Sequence, residues 1–216
     1  MDYVAARRNM VEGQIRPNKV TDPMVVQALE TVPREMFVPK HMRGIAYTDD
    51  DLDLGGGRAL MEPMVLARLL QEARIEEEEI ALVVGCGTGY SAAVLSRLCS
   101  TVVALESDSE FGARAGAIMG ELGYDNVAVV PGTLTAGCPE QAPYNIILVD
   151  GAIETVPQAL LDQLADGGRL IAVVTGHGQG VGTICTRRGD SWGHLGVFDA
   201  NIRPLPGFAK PPAFTF

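Results

Sequence analysis

Apolar positions change their period twice along this 216-residue chain. Over the first third they recur at helical spacing. Val4, Val11 and Ile15 form a broken stripe, and the stretch from Met1 to about Met36 reads as helical. Thr21-Asp22-Pro23 starts a helix, since proline is tolerated in a first turn. That helix carries Met24, Val25, Val26, Ala28 and Leu29 and stops near Val32-Pro33. A polar, glycine-rich interval follows from Tyr47 to Arg58, with the acidic run Asp49-Asp50-Asp51 and a turn at Gly55-Gly56-Gly57. Glu62-Pro63 then opens a helix to about Arg74 that buries Val65, Leu66, Leu69 and Leu70.

From Ile80 the register shortens. Strands are expected at Ile80–Val84, Thr101–Leu105, Val127–Val130, Asn145–Val149 and Arg169–Val174. Helices are expected between them, at Tyr90–Leu98, Ser109–Leu122 and Pro157–Leu164. Strands alternating with helices predict a parallel sheet covered on both faces. The last third changes again. Val181–Thr186, the turn Arg188-Gly189-Asp190 and His194–Phe198 predict an antiparallel hairpin at the sheet edge. The expected fold is one α/β, Rossmann-like, doubly wound domain over residues 1–216. A helical extension and substrate segment would span 1–75 and a cofactor-binding core 76–216.

Composition narrows the class. Hydrophobic residues make up 47% and charged residues 20%, which is ordinary for a globular domain. No apolar run approaches the roughly eighteen residues of a membrane span, and the charged N-terminus does not read as a signal peptide. Cys86, Cys99, Cys138 and Cys185 are scattered without CxxC or Cys/His spacing, so neither a metal site nor a disulfide framework is expected. A cytoplasmic location with reduced thiols follows as the expectation. The net charge of −10 lacks the basic excess of nucleic-acid binders, and no nucleic-acid or membrane partner is expected.

The densest chemical signal is ALVVGCGTGY, residues 81–90, between a strand and a helix. Glycines there permit a tight turn and close approach of a ligand to the main chain, while the helix N-terminus offers free N–H groups. The pattern is GxGxG, with Gly85, Gly87 and Gly89. A dinucleotide fingerprint needs its third glycine where Tyr90 stands, so a nicotinamide oxidoreductase is disfavoured. Glu106 follows the next strand, about twenty residues on, the place for a carboxylate that holds ribose hydroxyls. Loop and carboxylate together point to a nucleoside cofactor, contacted by Gly85, Cys86, Gly87, Thr88, Gly89, Tyr90, Glu106 and Ser107. The turn Gly132-Thr133-Leu134 after the third strand would line an adenine pocket, and Asp150 after the fourth would stand near the reacting end as base or acceptor. His177, in the loop Gly176–Gly182, His194, Trp192 and the proline-rich end PLPGFAKPPAFTF read as surface or edge features.

These residues resemble the protein-L-isoaspartate (D-aspartate) O-methyltransferases over most of the chain. VVQALETVPREMFVP resembles the family's N-terminal helix and exit, and Tyr47 its following tyrosine. GGGRALMEP resembles its substrate segment, VVGCGTGYSAAVL its cofactor loop, VVALES its ribose strand and LDQLADGGRLIAVV its late helix and strand. The resemblance implies S-adenosyl-L-methionine as cofactor and methyl esterification of isoaspartyl carboxylates in damaged proteins or peptides. It implies a substrate wall along Arg58, Ala59, Leu60, Met61, Glu62 and Pro63, where Arg58 is the one cation able to hold a carboxylate.

Departures fall at the chemistry. Met61 stands for the family's serine and Ala59 for its threonine. Val83 replaces an acidic residue, Thr133-Leu134 replaces Asp-Gly, Tyr144-Asn145 replaces Phe-Asp, and Asp150 replaces a small hydroxyl residue. A carboxylate at Asp150 repels a carboxylate acceptor unless protonated or paired. A same-fold methyltransferase with another, unidentified acceptor, or a catalytically inactive interaction protein, are therefore the alternatives.

Overall fold

A computed structural model describes residues 1–176 and 178–209. His177 and the tail from residue 210, both noted above, lie outside the described residues. The chain enters through α1 (Tyr3–Met10), continues through a π turn (Val11–Ile15) and a 3-10 turn (Arg16–Asn18), and reaches α2 (Pro23–Thr31). Aspartates cap both helices: Asp2 accepts from the Ala5 N–H, and Asp22 from those of Met24 and Val25. The apolar stripe differs from expectation at its start. Val4 is 73% exposed, whereas Met10, Val11 and Ile15 are buried, because the later turns pack against the next helix, α3 (Pro63–Ala73).

The interval read as a polar loop is a hairpin, β1 (Leu52–Gly55) with β2 (Arg58–Leu60). Gly55, Gly56 and Gly57 all take positive φ and close it. Leu52 and Leu60 sit opposite one another and are both buried, the short alternating signal that the surrounding charge concealed.

The core follows as β3 (Ile80–Val84), α4 (Tyr90–Leu95), β4 (Thr101–Glu106), α5 (Ser109–Leu122), β5 (Val127–Pro131), β6 (Tyr144–Ile153), α6 (Gln158–Leu161), β7 (Leu164–Val174), β8 (Val181–Arg188) and β9 (Ser191–Asp199). Their sheet order is β5-β4-β3-β6-β7-β8-β9, parallel from β5 to β7 and antiparallel through β8 and β9. The mostly parallel, doubly wound sheet and the C-terminal hairpin are as the pattern predicts. Alternation on β3 divides the core. Ala81 and Val83 face the layer with α3 and α4, while Leu82 and Val84 face the layer with α6 and Leu205.

Several boundaries differ from the sequence reading: β7 starts at Leu164 rather than Arg169, and the hairpin strands β8 and β9 run two to three residues past their expected bounds. The helix from Tyr90 ends at Leu95 rather than Leu98, in a run of turns. The helix expected over Pro157–Leu164 spans only α6, because Leu164 pairs with Tyr144 and is drawn into the sheet. β6 does not stop at Val149 but runs to Ile153, with its pairing to β7 broken between Leu148 and Ala152. Such an irregularity re-aims the side chains inside it, and Asp150 lies there. The order reverses between β3 and β6, so a crevice opens at their carboxyl ends, the ligand position of doubly wound sheets.

Candidate cofactor and acceptor site

The glycine loop leaves β3 with the N–H groups of Gly85 and Cys86 both on the Leu105 carbonyl, at 2.9 and 3.2 Å. Gly85, Gly87 and Gly89 take positive φ, so the backbone turns where a side chain would be strained. Not every residue of the loop faces the crevice. The Thr88 hydroxyl donates to the Phe37 carbonyl at 2.6 Å. The buried Tyr90 ring lies 4.7 Å beneath the Arg34 guanidinium and edge-on to Phe37. Both side chains bind the loop to the N-terminal extension. Burial pushes the Cys86 thiol well above the usual range, so it is no nucleophile at neutral pH.

Glu106, the predicted ribose carboxylate, ends β4 and is 1% exposed. Its Oε2 accepts the Gly87 N–H at 2.9 Å, which joins it to the loop. Its Oε1 accepts the N–H groups of Ser107 and Asp108 at 2.8 and 2.9 Å. The Ser107 hydroxyl stands 3.4 Å from Oε1, and Arg58 supplies the rest. Its Nη2 donates to Oε1 at 2.6 Å, and its Nε lies 3.1–3.2 Å from both oxygens. The same Nη2 donates to the Ser107 hydroxyl at 3.0 Å. Burial alone would raise the Glu106 carboxyl, but Arg58 and the backbone donors outweigh it and hold it below its usual range. Arg58, expected along the substrate wall, is thus committed to Glu106.

The acceptor side holds Asp150, Met61 and Asp51 around a small space with Gly57, Ala59 and Arg203. The Ser91 hydroxyl, on the first turn of α4, donates to Asp150 Oδ2. Burial raises the Asp150 carboxyl to about 7, with Asp51 adding and Ser91 and Arg34 opposing. Glu62 rises to about 7 as well, through burial and then the charges of Asp49, Asp51 and Asp50. Met61 is buried at 4% exposure and brings no hydrogen-bond donor. The fully buried Arg34 donates from Nε to the Ala46 carbonyl at 2.7 Å and from Nη2 to the Met61 carbonyl at 2.8 Å, so it fixes the substrate segment. Arg34, Ser91, Asp51 and Leu205 were not identified from the sequence. Ser91, two residues past the last glycine of the pattern and at a helix start, carried the clearest signal of the four.

Gly132, Thr133 and Leu134 border a hollow of about 350 Å³ with Ser107, Thr135, Pro206 and Gly207, which has room for a purine. The path from it to the glycine loop is filled. A Cβ on Gly85 would lie 2.7 Å from Leu205 Cδ1, and the enclosed space beside Asp150 and Met61 is about 10 Å³, no more than one water occupies. The residue types suit an adenosyl cofactor, but as folded they leave no room for its ribose and amino-acid end.

A glycine loop hydrogen-bonded to a carboxylate one strand away, at the switch point of this sheet, defines a Rossmann-like methyltransferase of the S-adenosylmethionine-dependent class. The family description protein-L-isoaspartate(D-aspartate) O-methyltransferase matches residues 5–192. A protein-L-isoaspartate O-methyltransferase of Synechococcus sp. (strain JA-2-3B'a(2-13)) is 37% identical over 210 residues, covering 94% of this chain and 86% of that protein. One of Roseiflexus castenholzii is 37% identical over 207 residues, covering 96% and 94%. A solved protein-L-isoaspartate O-methyltransferase superposes with a TM-score of 0.81 at 25% identity, over 93% of this chain and 66% of that one, just under two thirds of its length. A Plasmodium falciparum structure, described as a protein-L-isoaspartate O-methyltransferase in complex with S-adenosyl-L-homocysteine, gives 0.79 at 18% identity and shows the same fold. The chain belongs to the protein-L-isoaspartate(D-aspartate) O-methyltransferase family, a family of S-adenosylmethionine-dependent enzymes.

Proposed function

We propose that this chain esterifies the free carboxylate of isoaspartyl residues in damaged proteins or peptides, with S-adenosylmethionine as its cofactor. The observation that carries the reading is the union of Gly85–Gly89 with Glu106 through the Gly87 N–H, in a chain of this family. Glu106 is the ribose ligand, the loop backbone faces the amino-acid end, and Gly132-Thr133-Leu134 face the adenine. Met61 and Asp150 form the acceptor side. Asp150 stays protonated below about pH 7, so an acceptor carboxylate can lie beside it without repulsion. Ser91 orients the carboxyl by its hydrogen bond. No helix among the described residues is long and apolar enough to cross a membrane. The four free cysteines support a reducing, cytoplasmic setting.

Incubation with methyl-labelled cofactor and an isoaspartyl peptide should give an alkali-labile ester, absent with the matched aspartyl peptide. Label on neither peptide, or equal label on both, overturns the reading. It stands ahead of a different acceptor or an inactive fold, because the curated relatives that match nearly the whole chain are isoaspartyl methyltransferases.

A further inference from the structure

We propose that Arg58 and the segment around Leu205 form a latch across the nucleoside cleft, and that an S-adenosyl compound enters only when Arg58 releases Glu106. The proposal rests on the cofactor reading above.

A carboxylate offers about four lone-pair sites. Glu106 already faces six donors: the N–H groups of Gly87, Ser107 and Asp108, the Ser107 hydroxyl, and two nitrogens of Arg58. A ribose hydroxyl must displace one of them. The three backbone donors belong to the glycine loop and the start of α5 and cannot leave without unmaking both. Of the two side-chain partners, the Ser107 hydroxyl stands at 3.4 Å and is held next to the backbone donors, whereas Arg58 makes the short contacts from a long side chain on a separate hairpin. It sits at the tip of the β1–β2 hairpin, directly after three glycines of positive φ.

The second half of the latch is the chain's own return. After β9 the backbone runs back across the crevice. Ala152 N–H donates to the Arg203 carbonyl at 2.9 Å, and Leu205 N–H to the Ala152 carbonyl at 2.8 Å. Pro204 thereby joins β6 as a short parallel bridge. Leu205, 4% exposed, projects onto Gly85. Hairpin and return segment are tied together. Asp51 accepts the Glu62 N–H at 2.8 Å and the Arg203 N–H at 2.6 Å, and Arg203 pairs with Asp53 on β1 at 3.0 Å. Gly57, beside Arg58, would clash with Pro206 if it carried a Cβ. A shift of the hairpin therefore moves both obstructions together, and with them Pro206 and Gly207, the outer wall of the hollow at Gly132–Leu134.

The test is calorimetric titration of the full chain with S-adenosylhomocysteine, for the wild type, Arg58→Gln and Leu205→Ala, each checked for a cooperative melt. Arg58→Gln removes the competing cation, and affinity should rise at least tenfold. Leu205→Ala keeps the ion pair but clears the space over Gly85, and affinity should rise several-fold. It also serves if the Arg58 variant fails to fold. In the double variant Arg58→Gln/Glu106→Gln the gain should vanish. Tight wild-type binding with both single variants unchanged or weaker overturns the latch and leaves the cofactor reading standing. No binding by any variant at millimolar ligand overturns both.

Discussion

Replacing Asp150 with asparagine should stabilise the fold, and by an amount that grows with pH. The Asp150 carboxyl ionises at about 7 in the fold against its ordinary 3.8, chiefly because it is buried. Between those values the folded chain keeps a proton that the unfolded chain has lost, so stability falls as pH rises from about 4 through 7 and is level above. At about 1.4 kcal/mol per pH unit of displacement, the ionised fold carries a penalty on the order of 4 kcal/mol by pH 8. Asparagine keeps an oxygen for the Ser91 hydroxyl and cannot ionise. Urea unfolding at pH 5, 6.5 and 8 measures the effect, with an unchanged m-value confirming that only stability has moved. The Asp150→Asn variant should gain about 1.5 kcal/mol at pH 5 and about 4 kcal/mol at pH 8. Glu62, also raised to about 7, is present in both proteins and cancels. A difference that stays constant from pH 5 to 8 would falsify the claim that Asp150 holds its proton near neutrality.

The same carboxyls should shape activity: kcat/KM on an isoaspartyl peptide should fall above pH 7 as Asp150 and Glu62 become charged, and a profile flat to pH 9 contradicts their place beside the acceptor. Arg34→Met should cost about 3 kcal/mol in a denaturant melt, because it strips two carbonyls of charge-assisted bonds in a fully buried site; a loss under about 0.5 kcal/mol would show the guanidinium to be dispensable. Gly89→Ala places a Cβ against Met119 Cε at a φ of 98° and should lower stability by about 1–2 kcal/mol; an unchanged melting temperature would mean the loop tolerates a side chain there.

The sheet was legible because its strands are buried on both faces and read as short apolar runs between helices. Ile80–Val84 matched its predicted bounds, and the helices opened by Pro23 and Pro63 end within a residue or so of theirs. Gly85, Gly87, Gly89 and Glu106 were equally legible, since main-chain strain and a strand-end carboxylate leave local marks. What escaped was set by partners distant in sequence. Arg58 finds Glu106 across 48 residues, and Asp51 finds Arg203 across 152, and neither pairing has a periodic signature. The β1–β2 hairpin was hidden because its strands of four and three residues are too short to display alternation amid acidic residues. Asp150 was placed at the right edge of the sheet, but the pairing break that re-aims it depends on β7 and the return segment. Thr88 and Tyr90 share the loop's motif while their side chains serve the N-terminal extension instead.

The most direct measurement is a crystal structure of the chain with S-adenosylhomocysteine. The ribose hydroxyls should lie within hydrogen-bond distance of Glu106, with the Arg58 guanidinium withdrawn from that carboxylate and Leu205 lifted from Gly85. A nucleoside seated in the cleft with the Arg58–Glu106 pair intact, or bound away from the Gly85–Gly89 loop, would contradict that arrangement.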